Sequence, residues 1–206
     1  MPEIGFFVEG MAPLAHTLTP TLALRLRVVN GTPEPVHALL VRCQVQIEPA
    51  RRGYSAAEQG RLSELFSIPS RWGETLRPWQ WQQVTAMVAG FTGSTVSEVP
   101  LPCSYDFSLA ATKYFEALEG GEIPLRLLFS GTVFYQGRAG VEAAPIPWEL
   151  EARGKLPAKV WRDCIAAHYP DCAWLRLRRE VWARLQQRRA EGGHASCEQT
   201  LEELLA

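Results

Sequence analysis

The 206-residue chain carries 21 Lys plus Arg against 22 Asp plus Glu, a formal charge of −1 that leaves no global field to select nucleic acid or an anionic membrane. Its 47% hydrophobic and 21% charged content suits a folded protein with a substantial core and argues against disorder outside the last dozen or so residues. No run of about 18 apolar residues occurs, and Met1–Gly10 has neither a cationic region nor a long apolar stretch, so no membrane span or secretory signal is read and a cytoplasmic protein is expected.

Glu3–Glu9 suits a first strand, and Pro13, Pro20, Pro33 and Pro35 cut the region around it into pieces too short for helix. Thr21–Val29 sets Leu22, Leu24, Leu26 and Val28 on one side of a period of two, with Ala23, Arg25 and Arg27 on the other. After the turn Asn30–Pro35, Val36–Glu48 repeats the pattern: Leu39, Val41, Cys43, Val45 and Ile47 oppose Arg42, Gln44, Gln46 and Glu48. A sheet with one wet face follows, and its apolar face requires a second layer.

From Ser55 the spacing changes. Ser55-Ala56-Ala57-Glu58 reads as a capping start, and Leu62, Leu65 and Phe66 give a short helix one apolar stripe. Gln80–Ala89 returns to strand with Val84, Ala86 and Val88 inward, and Phe91–Ser94 turns into a further strand ending near Pro100. Asp106–Ala110 is read as strand, followed by one or two helical turns before Gly120-Gly121. Ile123–Gln136 is a long strand with Leu125, Leu127, Phe129, Gly131, Val133 and Tyr135 in one register, and a last strand is expected near Val141–Glu151. These make roughly seven strands at the spacing of a sandwich.

Past Gly154 the pattern is helical. Val160, Trp161, Cys164 and Ile165 form a stripe between Pro157 and Pro170. A second helix over about Arg178–Ala190 is expected to carry Val181, Trp182 and Leu185 inward, with Arg184, Arg188 and Arg189 outward; Ser196–Leu205 forms a further amphipathic turn or two. The expected fold is thus mainly β: an antiparallel Ig-like β-sandwich over residues 1–153 with a short inserted helix, and a helical C-terminal segment over 154–206 packed on it.

Little catalytic chemistry is legible. No phosphate-cradling Gly-rich loop occurs, and the acid pairs Glu119/Glu122 and Glu202/Glu203 stand where solvated carboxylates are ordinary. Cysteines 43, 103, 164, 172 and 197 are odd in number and scattered, which suits free thiols better than a disulfide framework. Cys164-x3-His168-x3-Cys172 has a metal-like look, with His194 or Cys197 as the nearest further ligands, but Pro170 interrupts the helix face. A metal- or redox-active protein using Cys164, His168 and Cys172 is the alternative reading; no metal, cofactor or catalytic residue is assigned.

The remaining asymmetry is basic and aromatic. Arg176, Arg178, Arg179 and Arg184, with Trp174 and Trp182 interleaved, suit an acidic protein face, and less well a nucleic-acid backbone. These six residues are the candidate partner-binding set.

Phe91–Val96, Pro102–Asp106, Lys113-Tyr114-Phe115, Ile123–Tyr135, Leu156–Arg162 and Ala173–Leu177 together resemble an uncharacterised bacterial family, a domain of unknown function, from about residue 20 to the C-terminus. The resemblance implies a genomic setting beside high-affinity uptake nickel-iron hydrogenases and their maturation genes. It therefore implies a non-enzymatic accessory or assembly protein whose protein partner is a hydrogenase subunit or maturation factor. His194–Glu198 stands where relatives tend to have a Pro-Thr-Trp-Asp type of segment, so a metal role for His194 or Cys197 would be peculiar to this chain.

Overall fold

The computed structural model describes residues 2–103, 109–138, 140–173 and 175–206, which form two compact units, 1–171 and 172–206. The first is an antiparallel β-sandwich. Strands β1 (Ile4–Pro13), β2 (Thr21–Asn30) and β3 (Val36–Ile47) lead to helix α1 (Ala56–Phe66) and the single turn α2 (Trp72–Thr75). Then come β4 (Trp79–Phe91), β5 (Ser94–Pro102), helix α3 (Leu109–Ala117), β6 (Glu122–Gly137), β7 (Gly140–Pro145), β8 (Glu151–Pro157) and helix α4 (Ala158–His168). One sheet has the order β1-β2-β5; the other runs β4-β3-β6-β7, with β8 also on β6. This division of an early hairpin plus a later strand against the remaining strands is that of Ig-like sandwiches.

Alternation builds the core as the period of two requires. Leu22, Leu24, Leu26 and Val28 face inward from β2, and Leu39, Val41, Cys43, Val45 and Ile47 from β3, all at 1% exposure or less. Phe6 of the first sheet stacks on Phe129 of the second, ring centroids 4.1 Å apart, so the two layers meet directly. At the centre of β6 the backbone approach is too close for a side chain. Gly131 holds φ 136°, and a Cβ there would lie 1.9 Å from Leu40 O on β3.

Three expectations shift. The single last strand is two: β7 pairs with Thr132–Gly137 and β8 with Glu122–Leu128, one edge position interrupted at 146–150. Pro145 precedes that break and Pro147 lies within it, and neither has an N–H for the ladder. The strand expected at Asp106–Ala110 is contradicted where it is described. Leu109 and Ala110 open α3, because Ala111, Tyr114, Phe115 and Leu118 are buried at helical spacing; residues 106–108 lie outside the described residues. The boundary expected at 153/154 falls inside β8, whose ladder runs on to Pro157, and α4 packs against β1, β2 and β8, so the first unit reaches Asp171.

The helices of this unit gather where β3 ends and β4 begins. α1 starts with a capping box: Ser55 Oγ accepts from Glu58 N–H at 3.1 Å and Glu58 accepts from Ser55 N–H at 2.9 Å. Under it the rings of Tyr54, Phe66, Trp79, Trp81, Tyr114, Phe115 and Trp161 pack in a chain of edge and tilted contacts. Trp81 and Trp161 are core and Trp79 packs half-buried against it, which is the ordinary fate of large rings that can bury.

The second unit, by itself, is a helical hairpin. Helix α5 (Arg179–Glu191) ends at Gly192-Gly193, where Gly193 takes φ 66°, and helix α6 (Cys197–Leu205) begins with Ser196 capping Gln199 N–H.

Candidate protein-docking surface

In the second unit the two helices are held by a polar knot at their turn. His194 bonds Glu203 Oε2 through Nε2 at 2.7 Å and Thr200 Oγ1 through Nδ1 at 3.0 Å. The connectivity is that of a hydroxyl-imidazole-carboxylate triad, but the hydroxyl is fully buried and donates to Ser196 O at 3.2 Å, so it presents no nucleophile. The knot fixes the hairpin instead. Gln186 Nε2 donates to Cys197 Sγ at 3.3 Å beside it, so His194 and Cys197 each serve the hairpin.

The hairpin cannot bury its apolar residues fully, and it leaves a groove of about 500 Å³. Leu175, Leu177, Val181, Leu185, Leu201 and Leu204 supply its apolar wall. Arg184 and Arg188 stand on its lining, and Arg188 pairs with Glu203 at 3.6 Å. Exposure is high for residues of this kind: 69% for Leu175, 57% for Leu204 and 85% for Leu205.

Of the six candidate partner-binding residues, Arg184 lines this groove. Arg176 and Arg178 precede α5 and Arg179 opens it, all exposed, and among the described residues no carboxylate pairs with them or with Arg184. Trp182 is corrected from inward to outward. It is 47% exposed, because Val181 and Leu185, four residues apart, take the groove face and Trp182 lies about 100° round the helix from Val181. Trp174 lies outside the described residues. Leu175, Leu177, Leu201 and Leu204 were not in the expected set; the pairing of α5 with α6 is what gathers them.

Cys164, His168 and Cys172 are not brought together as a ligand set. Cys164 is buried and donates to Thr21 O at 3.4 Å. Both ring nitrogens of His168 face carbonyls, Nδ1 that of Cys164 at 3.2 Å and Nε2 that of Thr17 at 3.0 Å. Cys172 is exposed. Among the described residues no group of three or more His, Cys, Asp or Glu is placed to hold a metal ion.

A concavity of the sandwich has its cations spent on ion pairs. A cleft of about 470 Å³ beside β1 and β8 contains Arg51, Arg153 and Lys155, each paired with a carboxylate: Glu48 at 3.2 Å, Glu151 at 3.8 Å and Glu122 at 2.6 Å. The phenols of half-buried Tyr54 and buried Tyr114 touch at 2.8 Å, and Tyr54 donates to Pro49 O. Burial, and then the neighbouring Tyr114, push the Tyr54 phenol far above its ordinary range, so it stays a proton-bearing structural group.

Comparison with known proteins bears on family and little else. The model of a family of unknown function, DUF6084, matches residues 1–206. The chain belongs to DUF6084. No curated protein matches this DUF6084 chain. Among solved structures it is similar to a protein assigned to the late embryogenesis abundant group, at 12% identity and TM-score 0.34, over 76% of this chain and 71% of that one. It is also similar to a β-glucosidase from Kluyveromyces marxianus, at 10% identity and TM-score 0.28, over 75% of this chain and 15% of the enzyme. Likeness at this level says nothing of function. Among the described residues no helix is long and apolar enough to cross a membrane.

Proposed function

We propose that this DUF6084 protein is a non-catalytic accessory or assembly factor, cytoplasmic and bacterial, that docks a protein partner through residues 172–206. The supporting observation is the groove between α5 and α6, whose Leu175 and Leu204 stand exposed and whose Arg184 pairs with no carboxylate among the described residues. Its matching ligand is an amphipathic segment that places apolar anchors in the groove and acidic residues against Arg176, Arg178, Arg179 and Arg184. Six arginines against five glutamates in 172–206 leave this unit nearly neutral, which favours a protein over a nucleic-acid backbone, where binding depends on releasing counterions from many phosphates.

The sequence resemblance suggests which partner to test: a nickel-iron hydrogenase subunit or one of its maturation proteins. Tagged full-length protein expressed in its native host should retain such a protein, and Leu201→Asp should reduce that retention at least tenfold, since a buried anchor in a docking site is worth about 1.4 kcal/mol or more. Wild-type capture of neither class would end the hydrogenase reading. Equal capture by the variant would end the assignment of the groove. Salt-sensitive retention of RNA in place of protein would favour nucleic acid.

A further inference from the structure

The outer face of the second sheet does not keep one character along its length. Leu39, Val41 and Val133 point inward, so alternation turns Ala38 and Leu40 of β3 and Thr132 and Phe134 of β6 outward. The ladders fix their neighbours. One transverse row runs Ala89, Ala38, Phe134, Ala143 from β4 to β7, and the next runs Met87, Leu40, Thr132, Pro145. Neither row holds a charged residue. Met87 is 62% exposed and Leu40 39%, and Ala89, Ala143 and Pro145 are exposed with them. The row that follows is polar, with Thr85, Arg42 and Ser130. An uncharged apolar area bordered by polar residues on one sheet face has the anatomy of a contact surface, apolar at the centre and polar at the rim.

The order of side-chain sizes within the rows selects the occupant. A second copy laid face to face on the first, about a two-fold axis parallel to the strands and between β3 and β6, sets each β3 over the other copy's β6 and each β4 over its β7. Phe134 then falls over Ala38 of the second copy, Leu40 over Thr132 and Met87 over Pro145, each a larger side chain against a smaller one. That is the alternation by which packed layers interdigitate. Arg42 falls over Ser130, so no arginine is set against an arginine. The same patch serves both copies, as an isologous contact requires. Stacked sheets lie about 10 Å apart with strands crossing at about 30°, so the match is closest around Leu40 and Thr132 at the centre.

We propose that this face is the interface of a reversible homodimer, two copies of the chain stacked through the outer side of the β4-β3-β6-β7 sheet. The two apolar rows and the polar row beside them cover about 19 Å by 20 Å, roughly 400 Å² of face on each copy, against about 800 Å² per partner in a standard interface. The dimer is therefore weak and fills only as protein concentration rises. It uses none of the residues that line the groove of 172–206, and it stands whether or not that groove takes a partner.

Analytical ultracentrifugation of the full chain from about 5 to 500 µM tests this, with reductant present because Cys172 is exposed. The expected result is a monomer that converts to dimer across that range. Met87→Lys and Leu40→Lys should each raise the dissociation constant at least tenfold while the folded circular dichroism spectrum is kept, since both side chains are exposed in the single chain. Gln80→Lys, beyond the contact rows on β4, and Leu201→Asp, in the groove of 172–206, should leave it unchanged. Adding Pro145→Glu to Met87→Lys should restore association in a salt-sensitive form, because the two-fold sets each lysine over a glutamate of the other copy, whereas within one chain the two positions are three strands apart. A chain that stays monomeric throughout, a dimer indifferent to both lysine substitutions, a dimer that Leu201→Asp dissolves, or a double variant no better than Met87→Lys alone would overturn the proposal.

Discussion

Glu58 and Arg52 form an ion pair at 2.9 Å with their side chains only 5% and 12% exposed. The Glu58 carboxylate also accepts from the backbone N–H groups of Ser55 and Glu119, both at 2.9 Å, and Arg52 donates to Gly120 O at 3.2 Å. One carboxylate thereby caps α1 and fastens the turn after α3 to it. Removing one partner of a buried pair strands the other, which costs about 3–5 kcal/mol. Glu58→Ala should destabilise the protein by that amount in urea unfolding. Glu58→Gln should cost less, since its amide oxygen still accepts from backbone donors.

Glu119 adds a pH-dependent part to the same corner. The Ser55 hydroxyl, and then the Arg61 guanidinium, hold its carboxyl below the ordinary 4.5. A folded-state pKa below the unfolded value gives stabilisation that is complete above the ordinary value and is lost as pH falls through the folded one. Stability measured between pH 6 and 3 should therefore fall less steeply in Glu119→Gln than in the wild type. Superimposable pH profiles would show that the contact carries no linkage.

What could be seen in the sequence was whatever repeats along one segment. β2, β3 and β6 each alternate over many residues, so their inward faces follow from the period alone, and the Ser55/Glu58 cap follows from two residue types at a fixed spacing. The broken β7/β8 edge is a local feature, two prolines in an otherwise extended run, and the α3 residues at 109–110 needed the burial of Tyr114 and Phe115 to decide them. Trp182 was misplaced because a helix stripe about three residues wide admits Val181 or Trp182 next to Leu185, and only α6 chooses between them. Contacts such as Glu58 with Glu119 join distant positions by folding and leave no periodic trace. For the same reason the apolar wall of the groove, drawn from α5, α6 and the segment before them, had no single segment in which to show itself.

Gly131 gives the sharpest sequence-to-fold test. Its φ of 136° disfavours any L side chain, and the nearest atom to a Cβ is the backbone carbonyl of Leu40, which cannot rotate away. Gly131→Ala must either push β3 from β6 or bend both, in the strands that carry the core. The strain and the repacking together should cost about 3 kcal/mol or more. A urea midpoint unchanged from wild type would mean that the two strands tolerate separation at this point.

The docking groove depends on the His194 knot, because no other side chain bonds both Thr200 and Glu203 across the α5–α6 turn among the described residues. Thr200 is fully buried, so deleting the imidazole leaves its hydroxyl with Ser196 O alone and leaves a void behind it. His194→Ala should loosen α6 by about 1–2 kcal/mol, seen as faster amide exchange over residues 197–205 with exchange in β2, β3 and β6 unchanged. If the groove is the docking surface, partner capture should fall in step with that loss of protection, although residue 194 is absent from the groove lining. Lost protection with undiminished capture would separate the hairpin's order from its binding and place the partner elsewhere.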